Sequence, residues 1–147
     1  MTTFPIDAAR TIIATALAKG AELKMKPLTI AVLDAGGHLV AFERQDGAPT
    51  VLRAGIAIGK ATAALAFHGG SRTLNRMAQD RPHFVAALSA LSGGAAPVVP
   101  VPGGISVRNA AGEVIGAVGI SGDTSDNDEL AAVAGVEAAG LKAETGA

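Results

Sequence analysis

The stretch Leu28–Arg44, LTIAVLDAGGHLVAFER, constrains the fold of this chain more than any other. Leu28 to Leu33 is an apolar run, rich in β-favouring residues and too short for an ordinary helix, so it predicts a strand buried on both faces. Asp34-Ala35-Gly36-Gly37 then breaks the run, because glycine enters positive φ without steric cost. His38 to Arg44 resumes β character, with Val40, Phe42 and Arg44 on one side and Leu39, Ala41 and Glu43 on the other. The segment reads as a β-hairpin with Asp34 at its turn. Gly104–Arg108, Asn109-Ala110-Ala111-Gly112 and Glu113–Ser121 repeat the design, and two such hairpins require at least four antiparallel strands.

Helical patterns flank this sheet. Residues 6–24 place Ile6, Ala9, Ile13, Ala16, Leu17 and Gly20 at helical spacing. Gln45-Asp46-Gly47-Ala48-Pro49 is a turn, and residues 50–67 predict a second helix made thin by its alanines and glycines. Close approach to a sheet or a second subunit would compensate for those glycines. Ser71 is placed to cap a third helix over 72–80, and 83–91 predicts a further turn or two. The Gly and Pro density of 92–104 marks a long loop, and such loops are more often functional than idle. A closing helix is expected over 129–142, with acidic residues at its start as the helix dipole favours. The order predicts an α+β fold: one domain over 1–147, with a central antiparallel sheet of four to five strands, N- and C-terminal helices and a middle helical segment.

Composition narrows the function. The chain has 147 residues, 49% of them hydrophobic but only 3% aromatic, and a formal charge of -1. The core must be built from Ala, Val, Ile and Leu, and no basic surface for nucleic acid is expected. The absence of cysteine excludes disulfides and thiolate sites. With neither a signal peptide nor a membrane span at the N-terminus, a soluble cytoplasmic protein is the simplest expectation.

Lys60 is the first candidate for chemistry, being the only charged residue between Arg53 and Arg72. Arg53 lies seven residues before it, so on a helix the two share a face and could hold a carboxylate, unless Lys60 snorkels to solvent instead. Arg44 and Asp46 stand where the first hairpin leaves the sheet, a place suited to binding. Asp34, before Gly-Gly, reads first as the cap of its turn. His38, His68 and His83 lack any metal-site spacing; each could serve as an axial haem ligand or a general base, though the simpler reading puts them in loops or at helix ends. No metal site is expected. Ser71, Ser121 and Ser125 lack a nucleophile-elbow pattern.

VLDAGGHLVAFERQDGA (32–48), AIGKATAA (57–64), Pro102-Gly103-Gly104 and GEVIGAVGISGDTSDNDELAAVAG (112–135) resemble the GlcG/HbpS family of small haem-associated proteins. The resemblance implies a profilin-like fold, symmetric assembly into dimers and larger rings or octamers, and haem as the cofactor. It suggests a ligand site in which Arg53 and Lys60 hold the carboxylates of haem or a similar planar molecule while Asp34, Pro102, Gly103 and Gly104 complete the pocket. Relatives that coordinate iron through histidine place it near the first helix, and residues 1–24 contain none. The alternative is a cofactor-free isomerase or hydrolase of a small carboxylate, with Arg44 or Arg53 binding substrate, Lys60 as electrophile or base, and Asp46 or His68 moving the proton. A third reading is a non-catalytic assembly module. A homo-oligomer is expected in each case, because few aromatics and exposed sheet edges leave much for a partner to cover.

Overall fold

The computed structural model describes residues 3–91, 94 and 96–147. The described elements are α1 (Ile6–Glu22), β1 (Thr29–Asp34), β2 (Leu39–Arg44), α2 (Arg53–Ala66), α3 (Ser71–Asp80), α4 (Pro82–Leu91), β3 (Gly104–Arg108), β4 (Val114–Ser121), α5 (Ser125–Ala138) and β5 (Lys142–Glu144). They form an α+β fold around one antiparallel sheet of order β2-β1-β4-β3-β5. Both hairpins form where the apolar runs and their glycine turns predict them. β1 and β4 are central and buried along almost their whole length, which is why neither alternates with polar residues.

Strand pleating divides the core. Ile30, Val32, Ile105, Val107, Val118 and Ile120 point to one face and pack with Ile12, Ala16 and Val136 of α1 and α5. Leu33 and Ala117 point to the other, where they meet Ala61 and Ala64 of α2. The thinness of α2 follows from this second layer. A Cβ added at Gly119 would stand 1.9 Å from the Ala57 carbonyl, and one at Gly104 2.0 Å from that of Lys60, so backbone lies against backbone there. The small residues serve α2's own sheet.

Two expectations are corrected. Ser71 does not cap α3: it is the first helical residue, preceded by Gly70, and its hydroxyl donates to the Val101 carbonyl (2.6 Å) and accepts from the Gly104 amide (2.8 Å). The hydroxyl ties the Pro/Gly loop to the helix. The closing helix stops at Ala138, because Gly140 turns the chain at φ +75° and residues 142–144 then pair with β3 as a fifth strand. Alanine propensity gave way to an open sheet edge. The long loop, of which Ser92, Gly93 and Ala95 lie outside the described residues, packs on its own chain: the Val99 amide donates to the Gly59 carbonyl at 3.0 Å. Among the described residues no helix is long and apolar enough to cross a membrane.

Candidate functional site

Chemistry gathers at the two ends of β1. At its C-terminal end, Asp34 Oδ1 accepts from the amides of Gly36 and His38, each at 2.9 Å, as a turn-capping carboxylate does. The same oxygen lies 3.2 Å from His38 Nδ1. The His38 amide is the main cause that holds the Asp34 carboxyl below its ordinary value. An ionised carboxylate can only accept, so Nδ1 is the ring nitrogen that carries the proton toward Asp34, and in the neutral imidazole Nε2 is the acceptor. The glycines make this possible. A Cβ on Gly36 would stand 2.9 Å from the imidazole, and Gly37 takes φ +82° to bring the chain back.

The His38 side chain is 81% exposed and borders a cleft of 450 Å³ that Thr3, Phe4 and Val40 also line. Two more clefts continue between α1 and β2. The first, of 340 Å³, is lined by Ile6, Arg10, Ile13 and Ala41, and the second, of 350 Å³, by Leu17, Arg44 and Asp46; both include Glu43. Arg10 stands in the lining of the first of these and Arg44 in that of the second.

At the N-terminal end of β1, Lys60 is buried, and its ammonium donates to Asp128 Oδ2 (3.0 Å) and to the Ile120 carbonyl (2.9 Å). Asp128 Oδ1 accepts in turn from the Asp123 amide at 2.9 Å. Burial pulls the Lys60 pKa down, outweighing the upward pull of Asp128, and neighbouring Arg53 adds to the lowering. Arg53 Nη1 donates to Ser121 Oγ at 2.9 Å, while its Nε and the hydroxyl of Thr29 are buried without a partner.

The expected site residues therefore separate. Lys60 and Pro102-Gly103-Gly104 do meet, but in the interior: a Cβ on Gly103 would lie 2.8 Å from the Lys60 ammonium, so these glycines make room for the lysine. Arg44 and Asp46 share a cleft. His68 ends α2 at φ +52°, its carbonyl accepting from Arg108 (2.8 Å), and it lies at the opposite end of that helix from Arg53. Lys60, Arg44, Asp46 and His68 do not converge on one point, because burial takes Lys60 from the surface and the length of α2 removes His68. His38 was weighed with His68 and His83 as a haem ligand or base but left out of the expected site residues, and the structure orders its imidazole against Asp34. The signal for it was an Asp four residues ahead of a His across Gly-Gly, where two glycines permit the ring to fold back.

The single antiparallel sheet flanked by helices places the chain in the α+β class. The family model described as haem degrading protein HbpS-like matches residues 4–137, and the chain belongs to that family. Among solved structures it is similar to the PduOC:haem complex (TM-score 0.83, 21% identity, covering 98% of this chain and 100% of that one). It is also similar to protein ORFY of Klebsiella pneumoniae (0.81, 25%, 95% and 92%) and to a double mutant of HbpS from Streptomyces reticuli (0.78, 23%, 93% and 87%). No curated protein matches the sequence significantly.

Proposed function

We propose that this chain binds haem, or a similar planar molecule bearing carboxylates, in the cleft beside His38, with the neighbouring cleft between α1 and β2 receiving its carboxylates. The observation that carries this reading is the His38 imidazole, oriented through Nδ1 by Asp34 on the rim of a 450 Å³ cleft that has Phe4 and Val40 in its lining. A nitrogen lone pair backed by a carboxylate is the donor that iron takes from histidine, and the carboxylate fixes the tautomer. Phe4 and Val40 offer apolar surface to the ring, and Arg10 in the adjoining cleft is the cation we assign to the carboxylates. Bound haem would supply a redox-active iron. Membership of a family described as haem-degrading supports the choice of ligand. Lys60, already matched to Asp128 inside the fold, acts here by holding the end of β4 to α5.

A second reading, turnover of a small carboxylate without a cofactor, draws on Arg44 and Asp46 sharing a cleft. It predicts a reaction that Arg44→Ala abolishes and His38→Ala spares. For haem binding, haemin titration followed at the Soret band is decisive. Wild type and His68→Ala give the same saturable shift, whereas His38→Ala loses the histidine-ligated spectrum. Absence of a saturable shift in the wild type rejects the binding reading, and an unchanged spectrum in His38→Ala rejects the ligand assignment alone.

We further infer that the chain works as a closed homo-oligomer. Val51 is 96% exposed, Leu52 64% and Leu91 82%, and the outer edge of β2 is unpaired among the described strands.

A further inference from the structure

Val51 and Leu52 form the turn that leads into α2, and both side chains stand in solvent, at 96% and 64% exposure. Two adjacent aliphatic side chains left uncovered mark a surface that gains by being buried. Toward the other end of the same helix, Thr62, Leu65 and Ala66 join Ala35, Gly36, Gly37 and Ala96 around an open cleft of 280 Å³. No charged residue lines it, and most of its walls are small or aliphatic, so it has the room and the polarity for one or two aliphatic side chains. Leu39 extends this apolar surface: it is exposed and lies opposite Leu33, which packs on the α2 side of the sheet.

The helix itself decides which side chains can enter. Leu52 stands about 15–20 Å along α2 from Thr62 and Ala66, so a chain cannot seat its own Val51 and Leu52 in its own cleft. A second copy can. The helix ends are complementary as well, because the first turn of α2 has no acidic residue and the last turn no basic one. Placing the start of one α2 against the end of another brings an unneutralised positive dipole end to an unneutralised negative one.

We propose that Val51 and Leu52 of one copy dock in the α2 cleft of the next, so that copies join head to tail. The proposal rests on the reading that the chain is a homo-oligomer and does not depend on haem. Knob and cleft are different patches, which makes the contact heterologous, and a ring closes where successive rotations return to the first copy. Ala35 and Gly36 also wall the His38 cleft, so the docked side chains brace that turn from the α2 side.

The test uses two variants of the full chain, read by light scattering coupled to size exclusion. Leu52→Glu brings a carboxylate to an apolar cleft, and Ala66→Arg fills the cleft. Both positions are exposed, and each new charge complements the helix end beside it, so neither variant should melt below the wild type. Each alone is expected to run as a monomer. Mixed, they should give a 1:1 dimer of twice the 14.5 kDa chain mass and nothing larger, because one intact knob meets one intact cleft. In that mixture, isotope-labelled Leu52→Glu chain should show amide shifts at 35–37 and 62–66. A wild type that is monomeric at micromolar concentration overturns the proposal together with the oligomer reading. An oligomeric wild type whose mass either variant leaves unchanged, or a mixture that stays monomeric, overturns the head-to-tail contact alone.

Discussion

Lys60 and Asp128 illustrate how a single residue changes meaning between sequence and structure. A lone lysine among alanines and glycines has two physical outcomes, a snorkelling surface cation or a buried ion pair, and its sequence neighbourhood is the same in both. The carboxylate that decides between them lies 68 residues away. Because the pair is buried, deleting one partner strands the other. Lys60→Ala should cost about 3–5 kcal/mol in urea unfolding, while Lys60→Met with Asp128→Leu should recover most of it. A loss below about 1 kcal/mol for the single variant would show that the pair does not hold β4 to α5. Acid stability belongs to the same scale. The carboxyls of Asp34 and Asp123 are held below their ordinary value of 3.8, chiefly by the His38 amide and the Asn127 side chain respectively. The unfolded chain therefore takes up these protons first as pH falls, so their stabilisation is present above about pH 4 and lost below it. Asp34→Asn should flatten the acid limb of a melting-temperature profile, and an unaltered slope would contradict the assignment.

At the scale of elements, both hairpins and the central helices were legible because a period-2 or continuous apolar run bounded by glycine is a local signal. β5 was not. Its three residues carry no strand pattern of their own, and they pair only because β3 offers an open edge. Ser71 was misread for a related reason: its true partners, Val101 and Gly104, come from a distant loop. The glycines of this fold divide by what surrounds them. Gly119→Ala would drive a Cβ against the Ala57 carbonyl and should cost about 3 kcal/mol or more. Gly55→Ala meets open space on a helix and should stabilise by about 0.5–1 kcal/mol. Thermal unfolding of the two variants side by side tests the packing account, which a similar effect at both positions would defeat.

For the whole molecule, sequence patterns alone carried the fold class, yet they could not assemble the His38 cleft, whose lining joins Thr3 and Phe4 to Val40 and the turn between β1 and β2. Nor could they reveal the cleft on the α2 side, which exists only once that turn stands beside Thr62, Leu65 and Ala66. The exposed Val51, Leu52 and Leu91 predict self-association. Light scattering coupled to size exclusion should give a multiple of the 14.5 kDa chain mass, and a monomer at micromolar concentration would refute that prediction. The central claim, a planar ligand seated beside His38, is tested most directly by amide chemical-shift mapping with gallium protoporphyrin, a diamagnetic haem analogue. The account predicts saturable shifts at Thr3, Phe4 and residues 34–40, extending to Arg10 and absent around His68. Shifts confined to another surface, or no saturable shift at all, would contradict it.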